Sequence, residues 1–341
     1  MSDREPEHEK RLQQQIAQYA NVEDMHAAIS DINAYWKQMH HRQRFREATG
    51  AQNHIDFYAE RLRTAAEATG FCRVLSVGSG DGAVEMQVAK RLEALGINDY
   101  EFHLVEISPR QNERAHKNAK LYGIKGRIVT VEADLNKWVP TETYSGVMAH
   151  HSLHHVQELE FVFDQVYSAL SDQGCFVTFD IIGRNGHLRW PETYSVVNAL
   201  WHFLPDAKKQ HTVLGWTSKD YRDHDCSTQG FEGIRAQDIL PELMTRFSFD
   251  VFFAWGGLTD VFVGRGYGAN FDPTASEDRR IIDLVDELNE VLIDIGAIKP
   301  TNLCASMVKF APQAQRLYRN RTPEAMCRNP DEPWVKYSVS G

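Results

Sequence analysis

The sequence predicts an α/β fold built on a doubly wound, mostly parallel β-sheet. Short apolar runs alternate with helix-length segments between residues 71 and 181, and glycines or acidic residues follow the apolar runs. The composition is that of a globular protein, with 42% hydrophobic and 25% charged residues, which excludes a disordered or collagen-like chain. Because 341 residues exceed what one core usually holds, we expect an insertion or an accessory region.

Charge and cysteine content exclude several classes of protein. A formal net charge of -10 disfavours nucleic acid as a partner, because phosphate binding needs clustered Lys and Arg. No run approaches the roughly 18 apolar residues that cross a bilayer, and the polar N-terminus lacks a signal-peptide core. We therefore expect no membrane insertion and a cytoplasmic location. The five cysteines are scattered, which predicts reduced thiols.

Five segments follow one another along the chain. Residues 1–68 contain few Gly or Pro and show helical apolar spacing, which predicts an N-terminal helical cap. Residues 69–182 form the ligand-binding core of strands and helices. Residues 183–235 are rich in Trp, Pro and Gly and too long for a plain connection, so we expect a substrate-side insertion or lid before the sixth strand. Residues 236–310 complete the core, and residues 311–341 form a tail.

The apolar runs and the segments between them predict individual elements. The expected strands are Arg73–Val77, Glu101–Val105, Gly126–Val131, Gly146–Ala149, Cys175–Ile181, Asp250–Ala254 and Leu303–Phe310. The expected core helices are Ala83–Leu95, Pro109–Tyr122, Glu158–Ser171, Ala236–Phe247 and Ser276–Ile295.

A glycine-rich turn follows the first strand. Gly78, Gly80 and Gly82 let the backbone turn tightly and approach a ligand at the positive end of the next helix. The same run fits the dinucleotide pattern G-x-G-x-x-A, ending at Ala83, and a ligand-free turn is a further alternative. Glu106 ends the second strand, where an acid can accept two hydrogen bonds from a ribose diol. The glycine turn and Glu106 together indicate a nucleoside ligand.

Two further motifs complete a family pattern. Asp134 follows the third strand, and the fourth strand leads into His150-His151-Ser152-Leu153-His154-His155. This order of motifs, from residue 71 to residue 181, resembles the class I S-adenosylmethionine-dependent methyltransferases. The resemblance implies a Rossmann-like sheet of seven strands with an antiparallel last strand, and S-adenosylmethionine as cofactor, with S-adenosylhomocysteine as product.

The resemblance also implies roles for single residues. The three glycines line the methionine part of the cofactor, Glu106 holds the ribose hydroxyls and Asp134 meets the adenine amino group. The full set of expected cofactor-binding residues is Gly78, Ser79, Gly80, Gly82, Glu106, Ile107, Ala133, Asp134, Leu135 and His150. The sequence departs from the family at Ser76, where an acidic residue is frequent, and at Ser79, where Cys or Thr is frequent.

Methyl transfer to a hydroxyl requires removal of a proton, and imidazole titrates near neutral pH. The candidate catalytic residues are His151, His154, His155 and Asp180, with His187 as a competitor. A helix cap and packing unit is the alternative role of the histidine segment. Its i, i+4 histidine spacing also fits a metal site, but the segment starts on a strand end and lacks Glu or Cys companions, so we expect no metal.

We therefore expect a methyltransferase acting on a hydroxyl of a small molecule or saccharide. Segments 183–192 and 225–235 are similar to a bacterial glycan-modifying subgroup. An NAD(P)-dependent oxidoreductase is one alternative, although Glu106 lies 28 residues after Gly78 rather than about 20. A non-catalytic S-adenosylmethionine-binding scaffold is the other. The expected binding partner is the small molecule or saccharide that accepts the methyl group. The candidate assembly of the chain is a homodimer. The sequence leaves the acceptor and the methylated atom open.

Overall fold

An eight-stranded sheet forms the centre of the computed structural model, which describes residues 4–20 and 29–333. The inner strands are short, mainly apolar runs whose side chains are mostly buried, as expected for a sheet covered on both faces. The two edge strands, Arg127–Glu132 and Arg316–Leu317, contain no buried residue. The strands are β1 Arg73–Val77, β2 Glu101–Glu106, β3 Arg127–Glu132, β4 Tyr144–His150, β5 Leu170–Ile181, β6 Ser248–Trp255, β7 Asn302–Val308 and β8 Arg316–Leu317.

The strand order is β3-β2-β1-β4-β5-β7-β6-β8. Strands β1 to β5 pair in parallel, whereas β7 lies antiparallel between β5 and β6. The predicted α/β fold with an antiparallel seventh strand is confirmed. A two-residue edge strand, β8, pairs in parallel with β6 and adds an eighth to the seven strands that the sequence indicated.

The register of the parallel strands aligns their carboxyl ends. Val77 pairs with Val105, which in turn pairs with Val131, and His150 pairs with Phe179. The turns that follow these strands therefore lie along one edge of the sheet, the position at which doubly wound folds bind ligands.

Twelve helices are described, four before the first strand and the others between or after the strands. They are α1 Arg4–Ala20, α2 Asp31–Trp36, α3 Arg42–Thr49, α4 His54–Thr69, α5 Ala83–Ala94, α6 Pro109–Leu121, α7 Leu159–Ala169, α8 Pro191–Trp201, α9 Ile239–Met244, α10 Thr259–Val263, α11 Ser276–Asp294 and α12 Pro323–Met326. A π-helical turn, Lys37–His41, joins α2 to α3. None of these described helices has both the length and the apolar character of a membrane span.

Helix α4 illustrates how local sequence sets an element. The Asn53 side chain caps its first turn by accepting a hydrogen bond from the Asp56 amide at 2.9 Å. Gly70 ends it in the left-handed conformation, with φ of 79°. Phe57, Tyr58 and other apolar residues on one face are buried against β4 and β5.

Residues 183–235 contain α8, several short 3-10 turns and an isolated bridge between Gln210 and Thr217. At the end of this segment the Arg235 guanidinium forms two hydrogen bonds with the Glu160 carboxylate of α7, at 2.6 and 2.8 Å. The expected helix Ala236–Phe247 consists of a 3-10 turn, Ala236–Asp238, followed by α9. Residues 334–341 of the predicted tail lie outside the described part of the chain.

Candidate active site at the carboxyl edge of the sheet

The glycine turn after β1 has a backbone that other residues rarely adopt. Gly78, Gly80 and Gly82 have φ values of 69°, 54° and 69°. A Cβ on Gly78 would lie 2.7 Å from the Cβ of Ser152, and one on Gly82 would lie 3.2 Å from the Cβ of Ala115. By contrast, a Cβ on Gly80 would meet no heavy atom within 4 Å. The outer glycines thus permit close packing, and the middle one borders open space.

The Glu106 carboxylate lies directly beside this turn. Its Oε2 accepts a hydrogen bond from the Gly80 amide at 3.1 Å, and its Oε1 accepts one from the Ser108 amide at 2.9 Å. Burial raises the pKa of Glu106, while these backbone donors oppose that rise. Each carboxylate oxygen can accept a second hydrogen bond, so both can still bind ligand hydroxyls.

Asp134 lies after β3, close to the same turn. The neighbouring Leu135 side chain is 3.7 Å from where a Gly78 Cβ would be. The Asp134 Oδ1 accepts hydrogen bonds from the Asn136 amide and side chain at 3.0 and 2.8 Å. The other oxygen, Oδ2, lies 2.7 Å from Nε2 of His8, a residue of α1 that sequence reasoning did not single out.

The histidine segment begins at the end of β4. Nδ1 of His150 lies 3.1 Å from the Tyr58 hydroxyl, and the His150 ring stacks on that of His54 with centroids 4.9 Å apart. His151 has a φ of 50°, an unfavourable conformation for a residue with a side chain. Next to it, the Ser152 hydroxyl donates to the Val77 carbonyl at 2.5 Å and fixes the segment against the glycine turn.

Asp180 organises the turn that follows. It is fully buried, and its Oδ2 accepts hydrogen bonds from the Ser152 and Leu153 amides at 2.9 and 2.8 Å. Its Oδ1 lies 2.5 Å from Nδ1 of His154. Burial opposes ionisation of both groups, but the charge of His154 lowers the pKa of Asp180 to about 2, and the two nearby carboxylates raise the pKa of His154 to about 10. This pair is therefore ionised at neutral pH.

Glu232, from the 183–235 segment, is the second carboxylate beside His154 and was missed by the sequence analysis. Its oxygens lie 3.5 Å from Nε2 of His154, 3.7 Å from Nε2 of His155 and 2.7 Å from Nε2 of His187. These imidazoles hold the pKa of Glu232 well below its usual range, although burial opposes this. No residue spacing connects position 232 with positions 154 and 155, so only the fold reveals the cluster.

Two groups of side chains have a geometry that could hold a metal ion, His151 with His154 and Asp180, and His154 with His155 and Glu232. The hydrogen bonds of the second group do not suit a metal. One nitrogen each from His154 and His155 and one oxygen from Glu232 lie within 4.8 Å of one another. However, the Gln15 amide accepts from the Phe231 N–H at 3.1 Å, so its NH2 group donates to Nδ1 of His155 at 3.2 Å. His155 then carries its proton on Nε2, which cannot ligate a cation. The absence of a metal stays a prediction.

The residues around the glycine turn fit S-adenosylmethionine by the chemistry of their side chains. The turn offers open space at Gly80, two carboxylates that can accept hydrogen bonds lie beside it, and the buried Ser79 hydroxyl oxygen has no hydrogen-bond partner among the described residues. A cationic ligand with a ribose diol and an amino group matches this set of acceptors.

Comparisons with known proteins agree with this geometry. Residues 74–174, less than a third of the chain, match the family model described as a methyltransferase domain. A comparison with curated proteins finds no match. Residues 74–174 therefore contain a methyltransferase domain. The predicted class of enzyme and its cofactor are confirmed at this level, and the nicotinamide alternative is not supported.

Solved structures with a similar fold are distant in sequence. Geranyl diphosphate C-methyltransferase from Streptomyces coelicolor A3(2) is 12% identical, with a TM-score of 0.47, over 88% of this chain and 98% of that one. The StiE O-methyltransferase domain is 11% identical, with a TM-score of 0.41, over 84% of each chain. The plantazolicin methyltransferase BpumL is 12% identical, with a TM-score of 0.38, over 89% and 98%. At these values the likenesses carry no information on the acceptor.

Proposed function

We propose that this protein transfers a methyl group from S-adenosylmethionine to a hydroxyl of a small molecule or saccharide, with His151 as general base. The observation that carries the proposal is the position of His151, at the carboxyl end of β4, with a ring nitrogen within 4.8 Å of an Asp180 oxygen. The segment that contains it packs directly against the glycine turn through Ser152.

The cofactor roles follow the contacts at the turn. Gly78, Ser79, Gly80 and Gly82 line the methionine part, and Glu106 accepts hydrogen bonds from the ribose diol. Asp134 accepts from the adenine amino group. The remaining members of the proposed cofactor-binding set are Ile107, Ala133, Leu135 and His150. When bound, S-adenosylmethionine supplies an already electrophilic methyl carbon, so the chain has to align the acceptor and remove one proton.

The other candidate bases are less suited to accepting a proton. Asp180 is fully buried, and its oxygens already accept four hydrogen bonds, from the Ser152, Leu153 and Ile181 amides and from His154. His154 is protonated at neutral pH, because two carboxylates raise its pKa to about 10. Burial, followed by the charge of His154, lowers the pKa of His155 to about 3, which makes it a weak base.

His151 has the surroundings that a general base needs. It is half-buried, so a substrate hydroxyl can reach it. As the hydroxyl oxygen forms its new bond to carbon, His151 accepts the released proton and becomes an imidazolium. The Asp180 carboxylate, within 4.8 Å, stabilises that charge in the same way that it stabilises His154. Asp180 is thus a positioning residue in this mechanism.

Aromatic rings beside His151 favour a water-poor acceptor site. The Phe179 ring lies 5.0 Å from that of His151, and Trp255 lies 4.9 Å from Phe179. Such rings exclude water from the reacting atoms and offer a face on which a sugar or another small ring can pack. They support a small acceptor rather than a polymer.

The cofactor is tested first by titration calorimetry with S-adenosylhomocysteine and, in parallel, with NAD and NADP. We expect binding of S-adenosylhomocysteine alone, and a loss of about tenfold or more in affinity in Glu106→Ala and in Asp134→Ala. Exposed acids nearby provide matched controls, Glu113→Ala and Glu132→Ala, which should bind like the wild type. Binding of only a nicotinamide cofactor would contradict the proposal.

The base is tested once an acceptor screen has identified a methylated hydroxyl. His151→Gln should lower the single-turnover rate by about 10²- to 10⁴-fold and leave S-adenosylhomocysteine affinity unchanged. His155→Gln is the control within the same segment and should retain most of the rate. Equal losses in the two variants would show that the segment acts structurally. If the acceptor screen finds no turnover although S-adenosylhomocysteine binds, that result would support the scaffold alternative instead.

A further inference from the structure

Helix α1 docks on the carboxyl edge of the sheet through polar residues. Among its described side chains, residues 5–18, the buried ones are His8 and Gln15, whereas the apolar Leu12 and Ile16 are only half-buried. A helix that docks for packing alone buries its apolar face. Burial of a polar face is unfavourable unless each of its polar groups is hydrogen-bonded. The buried polar face of α1 therefore indicates that its hydrogen bonds have a specific role.

The polar groups of this face divide between two parts of the candidate site. His8 lies at the adenine end: its Nε2 is 2.7 Å from Asp134 Oδ2 and its Nδ1 is 3.3 Å from Gln157 Oε1. One turn on, Arg11 donates to the carbonyls of Ser227 and Gly230 at 3.1 and 2.8 Å. The helix therefore bridges the site that Asp134 forms and the segment that carries Glu232.

Two further residues strengthen this bridge. The Gln14 Oε1 accepts from the Gly230 amide at 3.1 Å, and the Gln15 Oε1 accepts from the Phe231 amide at 3.1 Å. The Gln15 NH2 group also donates to His155. Positions 8, 11 and 15 recur at intervals of three and four residues, so one face of α1 makes all these contacts.

We propose that α1 is a lid over the adenosine end of the cofactor site and that His8 is a positioning residue, which holds the Asp134 carboxylate in the orientation that receives the adenine amino group. This inference rests on the adenine-binding role proposed above for Asp134. The Asp134 Oδ2 accepts one hydrogen bond from His8 and keeps the capacity for a second, so the carboxylate can bind His8 and adenine at once.

Closure of the lid also positions the acceptor side of the site. Because the same helix face fixes residues 227–231, closing over adenosine brings Glu232 against His154 and His187. The cofactor then dissociates only after the contacts of Arg11, Gln14 and Gln15 have opened.

The test is stopped-flow measurement of S-adenosylhomocysteine dissociation from full-length protein. We expect dissociation about tenfold faster in His8→Ala, which loses a hydrogen bond to a charged group. It should also be faster in Arg11→Ala, which never touches Asp134. Lys10→Ala, on the exposed face of the same helix, is the matched control and should dissociate like the wild type.

A second readout needs no substitution. Hydrogen exchange of α1 amides in the wild type should slow when S-adenosylhomocysteine binds, relative to α11, which lies elsewhere in the fold. Unchanged exchange in α1, or a His8→Ala variant with wild-type or tighter binding, would overturn the lid. Failure of the wild type itself to bind S-adenosylhomocysteine would instead overturn the proposed function and the lid together.

Discussion

The Glu85 carboxyl group is buried in the first turn of α5, beside the glycine turn. It is 2% exposed, and its Oε1 lies 2.6 Å from the hydroxyl of Ser76 in β1. Its other oxygen has no hydrogen-bond partner among the described residues. Burial raises the pKa of Glu85 to about 7, and the hydrogen bond from Ser76 limits the rise. The folded protein is therefore more stable when the Glu85 carboxyl group is protonated.

We expect this carboxyl group to make stability depend on pH. In the unfolded chain Glu85 ionises near pH 4.5, whereas the folded protein keeps its proton up to about pH 7. The folded state thus binds more protons in this window, and the free energy of unfolding falls as pH rises through it, by on the order of 3 kcal/mol from Glu85. Urea unfolding should therefore find Glu85→Gln more stable than the wild type at pH 8 and nearly equal to it at pH 4.5.

The control for this prediction is Glu113→Gln, at an exposed position of α6. It should follow the wild-type stability at both pH values. If the wild type and Glu85→Gln lose stability in parallel between pH 4.5 and pH 8, Glu85 is not the group that titrates.

Sequence reasoning names site residues whose placement depends on backbone geometry, and it misses residues whose placement depends on contacts between distant segments. Gly78 and Glu106 were identified because each follows an apolar strand at the edge where parallel strands end. His8 and Glu232 were missed, because a lone histidine on a polar helix and a lone acid in a loop give no periodic signal. His8 contacts Asp134 and Glu232 contacts His154, and in both cases the two residues are more than 70 positions apart in the chain.

At the scale of elements, the turn between β4 and α7 depends on one carboxylate of β5. Asp180 accepts hydrogen bonds from two amides of that turn and from His154. We expect Asp180→Asn to lower the free energy of unfolding by about 3–5 kcal/mol, because it leaves a buried imidazolium with only one nearby carboxylate. Chemical denaturation at pH 7 measures this loss.

The matched control is Asp172→Asn on the same strand. Its side chain is largely exposed and pairs with Lys309 at 3.3 Å, so the change should be within about 0.5 kcal/mol. The stabilisation by Asp180 persists while its carboxyl group is ionised, and it is lost as pH falls from 3.8 towards about 2. Equal stabilities of the two variants would contradict the role of Asp180.

The prediction of elements was most accurate in the parallel core. The bounds of β1 match those expected, because its apolar residues Val74, Leu75 and Val77 lie between a helix that ends at Gly70 and the glycine turn. The predicted helix from Ala236 to Phe247 was less accurate, since a 3-10 turn occupies its first three residues and α9 ends at Met244. Strand β8 has only two residues and depends on its partner β6, so no local pattern could indicate it.

At the scale of the whole molecule, a buried ion pair joins the N-terminal helices to α11. The Asp286 carboxylate is 1% exposed and accepts hydrogen bonds from Trp36 Nε1 at 2.6 Å and from Arg44 at 2.6 and 3.0 Å. We expect Asp286→Asn to cost about 3–5 kcal/mol, because it leaves the Arg44 guanidinium partly buried without this partner. Thermal unfolding and hydrogen exchange in α2 and α3 measure the effect.

Asp283→Asn, one turn earlier on α11, serves as the control. Its side chain is 42% exposed, although it accepts hydrogen bonds from Tyr35 and His40. Because exposed pairs contribute little, the expected change is below about 1 kcal/mol. A loss in this control as large as that in Asp286→Asn would show that the surface contacts, rather than the buried pair, attach the N-terminal helices.

The position of β7 has a consequence for synthesis of the chain. Among the described strands, β6 pairs only with β7 and β8, both of which follow it in the sequence, and β5 has β7 as its second neighbour. While the ribosome is still adding residues 256–301, β1 to β5 can already pair, but β5 presents an open edge and β6 has no neighbour. A nascent chain at this stage is therefore prone to pair with other chains until residues 302–308 emerge.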